Sequence, residues 1–256
     1  MRKTLTAAAL TLGLLNTGCA LNSTAQATES NVAENSAPIP VSLKKGQVIS
    51  YILINSKRSD EAQSVRQDYY EKAFPLASGY GLQRLINLQV PTSFVGETKR
   101  DAVTLFSYPD MASEAGLANH PDWPAIKAMR PDAWDELIIF TGELESNLAF
   151  NFDPTKAYTL AVAEINPDAP EAYNAYMSGI EPGLNEMGGR FIYRMINPKI
   201  ESHGKQYDKD VQVTLVEWDD LSTIGRYTST DIYKANAKFF SDGVRGFEFF
   251  QIAPAG

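Results

Sequence analysis

The chain has 256 residues, 44% of them hydrophobic, with a net charge of −8 and a pI near 4.9. That length suits one large or two ordinary domains, and the acidic balance argues against a nucleic-acid partner, whose phosphates must be neutralised by Lys and Arg. A single cysteine excludes an internal disulfide, so packing alone must hold the fold.

That cysteine lies at the end of an export signal. Arg2 and Lys3 precede an apolar run from Ala7 to Leu15, too short for a membrane span. Two exits from the signal compete. Leu15-Asn16-Thr17-Gly18-Cys19 resembles a bacterial lipobox, in which Cys19 is lipidated, although Asn16 stands where a lipobox has Leu; Ala25-Gln26-Ala27 is a site for ordinary signal peptidase. Residues 1–19 are therefore a signal peptide, or 1–27 if the chain is cut after Ala27. Both exits imply an exported protein, periplasmic or anchored to the outer membrane through the lipid. Residues 20–44, rich in Ser, Asn, Ala, Glu and Pro, read as a disordered tether that buries too little apolar surface to offset its chain entropy.

From residue 45 the elements follow in order. VISYILIN is rich in β-branched residues and predicts a strand. Ser59 and Asp60 then cap a helix whose apolar face includes Val65, Tyr69, Ala73 and Leu76, ended by Gly79 and Gly81. LQRLINLQV is a second strand, a polar connection contains Gly96, and AVTLFSY is a third strand. MASEAGLANHPDWPAIKAM is helical but broken at Pro121 and Pro124, and ELIIFTGEL is the fourth strand. From Ala157 the order recurs: YTLAVAEI, a helix through APEAYNAYMSGIEPGLNEMGG, RFIYRMI, VQVTLVEW, a helix through DLSTIGRYTSTDIYKANAKFF, and GFEFFQIA.

Landmarks keep near-constant offsets. VTLFSYPDMASEA at Val103 answers VTLVEWDDLSTIG at Val213, and Pro75, Gly81, Asp110 and Trp123 answer Pro182, Gly189, Asp220 and Tyr233. The chain is one unit built twice, at residues 45–146 and 155–254. Each β-α-β-β-α-β unit predicts a ferredoxin-like, four-stranded antiparallel sheet with both helices on one face. Strands such as ILI, LAVA and FEFF are apolar on both faces, so the expected fold class is α+β, with two tandem ferredoxin-like units packed sheet to sheet as an intrachain dimeric α/β barrel. Such a monomeric pseudo-dimer needs no partner chain.

The run MGGRFIYR, followed by VTLVEWDDLSTIGRYTSTDIYKANAKFF and GFEFFQI, resembles the dimeric α/β-barrel superfamily over about residues 48 to 253. Within it the chain is most similar to the bacterial domain-of-unknown-function branch numbered thirteen-thirty, through Gly188, Gly189, Arg190, Arg194, Trp218 and Tyr233. In the first unit Ile86 falls where Arg194 stands, and Trp123 replaces the Tyr. The superfamily includes cofactor-independent monooxygenases of polyketide quinols, haem-degrading enzymes and haem peroxidase-like proteins, so the fold does not select one reaction.

No phosphate loop, H-E-x-x-H, C-x-x-C or G-x-S-x-G motif is present. With His120 and His203 the only histidines, a His/Cys metal site is not expected. His120 has two readings: a base or haem ligand near the cleft between helices and sheet, or a helix cap before Pro121. Thr230 holds its place in the second unit, and His203 reads as a solvated hairpin residue. Asn55, Trp123 and Trp134 are candidate binding residues, or aromatics and a strand end that pack the first unit. In the second unit Glu164, Tyr193, Arg194, Glu217, Trp218, Tyr227 and Tyr233 set polar groups beside apolar strands. Alternation puts Phe191 with Tyr193 and Ile192 with Arg194, and a buried Arg194 would pair with Glu164 or Glu217. These residues serve either a structural ion pair or a pocket for an anion or phenol, with His120, Arg194 and Glu217 as the catalytic candidates. The expectation is an exported small-molecule-binding protein with a pocket in each half, and possible functions divide three ways: a cofactor-independent enzyme on an aromatic or quinol-like compound, a non-catalytic envelope scaffold, or a haem-binding protein.

Overall fold

The computed structural model describes residues 37–96 and 99–255. The signal segment, Cys19 with its alternative cleavage sites, and the tether up to residue 36 lie outside the described residues. In chain order the strands and helices are β1 (Ile39–Leu43), β2 (Val48–Ser56), α1 (Asp60–Gly79), β3 (Gln83–Gln89), β4 (Ser93–Val95), β5 (Ala102–Tyr108), α2 (Met111–Ala118), α3 (Trp123–Lys127), α4 (Arg130–Ala133), β6 (Trp134–Glu143) and β7 (Leu148–Phe152). The second half supplies β8 (Ala157–Ile165), α5 (Pro170–Glu186), β9 (Gly189–Ile196), β10 (Lys199–His203), β11 (Val211–Trp218), α6 (Leu221–Thr228), α7 (Asp231–Gly243) and β12 (Val244–Pro254).

Both halves use the same local devices. Asp110 and Asp220 each accept a backbone N–H, from Ser113 at 2.7 Å and Thr223 at 3.0 Å, and so start α2 and α6. Gly81 and Gly188 leave α1 and α5 with φ of +79° and +77°. A Cβ at Gly81 would lie 2.7 Å from Pro109 Cγ, and one at Gly188 would run into the Asp219 carboxylate.

The strand order β6-β2-β5-β3 in the first half is repeated as β12-β8-β11-β9 in the second. Antiparallel pairing of β3 with β12 joins the two sheets. Beyond β9 the chain turns through Asn197, at φ +48°, into β10, which pairs with β6 and brings the sheet back to its first edge. The exchange is reciprocal, because β4 of the first unit pairs with β12 of the second. The architecture is two tandem ferredoxin-like units in an intrachain α/β barrel. One strand face fills the interior, with Ile49, Tyr51 and Leu53 of β2 against Leu160, Val213 and Phe250 of the second unit's sheet. The other face carries the helices, as separate apolar clusters in each unit.

Three parts of the sequence reading need correction. The tether ends earlier than residue 44: β1 pairs with β7 across the interval between the units, and Val41, Leu43, Phe150 and Phe152 join the barrel core. The alternation in IPVSL is real but short, and Pro and Ser disguise it. Second, the strict alternation assumed for RFIYRMI fails. A bulge leaves Ile192 as an extra residue between the pairs Tyr193↔Leu215 and Phe191↔Val216, so Phe191 and Arg194 fall on the helix side. Leu85 makes the same bulge in β3, and Asn87 rather than Ile86 is therefore the counterpart of Arg194. Third, β4 and β10 lie in connections read as polar loops and a hairpin.

A charged network crosses the seam between the units. Arg100, its side chain fully buried, reaches Glu136 at 2.5 Å in its own unit and Glu248 at 3.1 Å in the other. Arg100 also donates to the Tyr207 hydroxyl at 3.0 Å, and Glu248 accepts from Tyr207 at 2.6 Å and Lys205 at 2.5 Å. Burial pushes the Glu248 carboxyl up, but Arg100, Lys205 and Tyr207 outweigh it and hold the group below the usual carboxylate range.

In the barrel core the Tyr51 hydroxyl has no hydrogen-bond partner among the described residues. Burial drives its phenol far above the ordinary tyrosine value, so it remains neutral and unsolvated. Tyr51→Phe removes only that hydroxyl and is expected to stabilise the protein by about 1 kcal/mol. A chemical denaturation curve checks this, and a loss of 1 kcal/mol or more would mean that the hydroxyl is satisfied in solution.

Candidate functional site

Between the helices and the sheet of the first unit lies a cavity of about 360 Å³, within the size range of small-molecule pockets. Its space comes from α1. Tyr69, Ala73 and Ala77 follow one another at helical spacing along the wall, and the two alanines leave room that larger side chains would fill. Tyr70 stacks on Phe74, with ring centroids 5.2 Å apart, and Trp123, Trp134, Phe106 and Tyr108 supply further aromatic wall. Strand alternation turns Ser50, Ile52 and Ile54 of β2 toward this space, while Asn55 falls on the opposite face.

Polar groups enter the apolar wall at a few points. Arg130, buried at the start of α4, donates from Nε and Nη2 to the Tyr69 hydroxyl at 3.1 and 3.0 Å, and from Nη1 to Glu201. Its guanidinium also lies 5.6 Å from the Trp123 ring centre. Glu201 belongs to β10, so the second unit's arm completes the first unit's site. Burial pushes the Glu201 carboxyl up, but Arg130 and then Lys127 outweigh it and hold it below the usual range. Lys199 on the same arm grips Glu114 of α2 at 2.7 and 2.8 Å. Burial and then Glu114 drive the Tyr108 phenol well above its ordinary value, so it is a neutral donor, without a hydrogen-bond partner among the described residues. The Trp134 indole N–H is buried and also lacks one.

The second unit carries larger apolar side chains at the matching positions. Ala73 and Ala77 are matched 107 residues on by buried Ile180 and Leu184, and Arg130 is matched by Phe240, which packs on Tyr176 with centroids 4.9 Å apart. Where Glu201 enters the first unit, the reciprocal arm brings Phe94 against Phe249 at 5.3 Å. A polar Glu-Arg-Tyr chain in one half thus corresponds to an aromatic ladder in the other. The two halves therefore differ in the side chains at the positions that wall the cavity.

Of the residues singled out from sequence, Trp123 and Trp134 line the cavity. His120 does not; its Nδ1 accepts the Asp122 N–H at 3.2 Å, while Thr230 accepts the Tyr233 N–H at 3.2 Å at the start of α7. Arg194 is 41% exposed, 3.8 Å from Glu181 rather than from the carboxylates expected. Glu217 instead receives two bonds from Arg190, at 2.7 and 3.1 Å, and Glu164 lies 3.7 Å from Lys205. Tyr193 and Arg194 line a second, more open groove of about 650 Å³, which shares Thr141 and Lys199 with the cavity. Trp218 donates to Thr159 at 2.9 Å and Tyr227 to the Ile180 carbonyl at 2.9 Å, and Tyr233 packs edge-on against Tyr227. These three make structural contacts.

Sequence inspection missed Tyr69, Tyr108, Glu114, Arg130, Lys199 and Glu201. The available signal was a mismatch between the repeats: Arg130 where the second copy has Phe240, and Ala73 where it has Ile180. Among the described residues no group of three or more His, Cys, Asp or Glu is placed to hold a metal. Neither histidine lines the cavity, so the imidazole on which the haem reading depended does not fit this site.

No family model and no curated protein matches the chain. Solved structures do. An anthrone oxidase-like protein is similar over 84% of this chain and 94% of its own, at 11% identity and a TM-score of 0.50. A candidate monooxygenase from Fusobacterium nucleatum subsp. nucleatum matches over 84% and 94%, at 12% identity and 0.44. A mutant chlorite dismutase from Candidatus Nitrospira defluvii matches over 83% and 93%, at 8% and 0.43. At these identities the likeness concerns the fold alone, which is that of the dimeric α/β barrels.

Proposed function

We propose that this chain is an exported protein that binds a small aromatic or quinol-like compound in the cavity of its first unit and acts on it without a cofactor. The single observation that carries the reading is an aromatic-walled cavity into which tyrosine hydroxyls and carboxylates enter at defined points. A hydroxylated ring held between Trp123, Trp134 and Phe106 would give its proton to Glu114, which is paired with Lys199, whereas Glu201 is bound by both Arg130 and Lys127 and held low. The oxygen that becomes negative would take its stabilising hydrogen bond from a tyrosine of the cavity wall. Within the superfamily we place the chain nearest the branch numbered thirteen-thirty, on the Gly188-Gly189-Arg190 pattern.

The test is thermal stabilisation of the purified protein by a panel of aromatic ketones, phenols and quinols. A ligand at 100 times its Kd adds about 2.7 kcal/mol, which raises Tm by roughly 5–10 °C for a fold of this size. A panel in which nothing shifts Tm would support the envelope-scaffold alternative.

A further inference from the structure

We infer that the cavity selects an aromatic compound bearing an acceptor oxygen, a carbonyl or an oxyanion, that this oxygen takes its hydrogen bond from Tyr69, and that Glu201 of the second unit is the residue positioning that bond. This rests on the cavity being a binding site for an aromatic molecule.

A tyrosine hydroxyl has two acceptor sites and one proton. Both acceptor sites of Tyr69 are taken by Arg130, at 3.1 and 3.0 Å. The proton is thereby directed away from the guanidinium, and among the described residues no group accepts it. Tyr69 lines the cavity, so the space there is the remaining direction for donation. Burial pushes its phenol up, with Arg130 offsetting part of the effect, and the group stays protonated at neutral pH. A hydroxyl that accepts two bonds from a cation is polarised and donates more strongly.

Glu201 fixes this geometry from behind. Its bond to Nη1 anchors the opposite side of the guanidinium, which leaves Nε and Nη2 for Tyr69. Since Glu201 stands on β10, the orientation of a first-unit donor depends on the second unit's arm pairing with β6. The Glu201-Arg130-Tyr69 chain has no counterpart in the second copy, where Phe240 and Tyr176 occupy the corresponding places. The duplicated fold has therefore specialised one half for recognition of an oxygen.

The experiment uses two probes with one flat skeleton, fluorene and 9-fluorenone, which differ by the carbonyl oxygen. Affinity is read by titration, and the hydrogen bond by the infrared carbonyl stretch of bound fluorenone. The wild-type protein is expected to bind both, to prefer fluorenone by roughly fivefold to tenfold, and to shift the stretch to lower frequency. Tyr69→Phe is expected to bind fluorene unchanged and lose both the preference and the shift. Glu201→Gln, with fluorene binding retained, is expected to reduce the shift because Arg130 is no longer held by a carboxylate. A Tyr69→Phe protein that keeps the preference and the shift overturns the donor assignment, and an unchanged shift in Glu201→Gln overturns the positioning role. If wild-type protein binds neither probe, the aromatic-cavity reading fails and this inference falls with it.

Discussion

Arg100→Met is expected to destabilise the protein by about 3–5 kcal/mol, the usual effect of leaving a buried charge without its partner. For a fold of this size that is a fall in Tm of roughly 10 °C. The residue is fully buried between carboxylates of both units, so its loss leaves Glu248, only 3% exposed, with Lys205 as its one cationic partner among the described residues. The cost is of isolation rather than of lost attraction, and the double variant Arg100→Met with Glu248→Leu is expected to recover part of it. The network also sets a pH dependence. Because the folded Glu248 titrates below its unfolded value, its contribution is fully present above the ordinary carboxylate pKa, about 4.3, and is lost as pH falls through the lower folded value. Thermal scans from pH 7 to pH 3 should show the gap between wild type and the double variant narrowing on the acid side. A Tm for Arg100→Met within a degree of wild type would mean that the seam is hydrated.

Ala73→Ile is expected to weaken ligand binding about a hundredfold while leaving the fold intact. The second unit has already performed this substitution, since Ile180 occupies the equivalent position of α5 and is buried. In the first unit the larger side chain would enter the space between α1 and the sheet, filling a void instead of overpacking a full core. Its added burial offsets the slightly poorer helix propensity of isoleucine, and Tm should change little. A bound aromatic molecule would meet the new side chain, at a cost of about 3 kcal/mol, or roughly a hundredfold in Kd. Circular dichroism separates this outcome from simple misfolding. Undiminished affinity in a folded variant would place the ligand elsewhere, and the groove beside Arg194 would become the site to examine.

The duplication was legible because the features that build the core repeat themselves: apolar strands, capping aspartates at Asp110 and Asp220, and glycines that close the first helix of each unit. The crossing arms were not. β4 is three residues long and β10 five, both partly polar, and each is held by pairing with the other unit instead of by its own pattern. The bulges at Leu85 and Ile192 were equally hidden, because an extra residue in one strand shows only against its partner. The bulge at Ile192 puts Phe191 on the face of Arg194 instead of with Tyr193, and the bulge at Leu85 makes Asn87 the counterpart of Arg194.

The site was legible only in part. Trp123 and Trp134 drew attention as large aromatics, and both line the cavity. Histidine drew attention through its chemistry, yet His120 has a local turn to satisfy and spends its ring nitrogen there. The polar core of the site is assembled from α1, α4 and an arm of the other unit, three segments far apart in sequence. No local pattern announces such an assembly, although a residue-by-residue comparison of the two copies does, at Arg130 against Phe240 and Ala73 against Ile180.

Calorimetric titration of the protein with 9-fluorenone tests the central claim most directly, because it counts sites. The account predicts one ligand per chain, bound about a hundredfold more weakly in Ala73→Ile. Two ligands per chain, or one that survives Ala73→Ile unchanged, would contradict it.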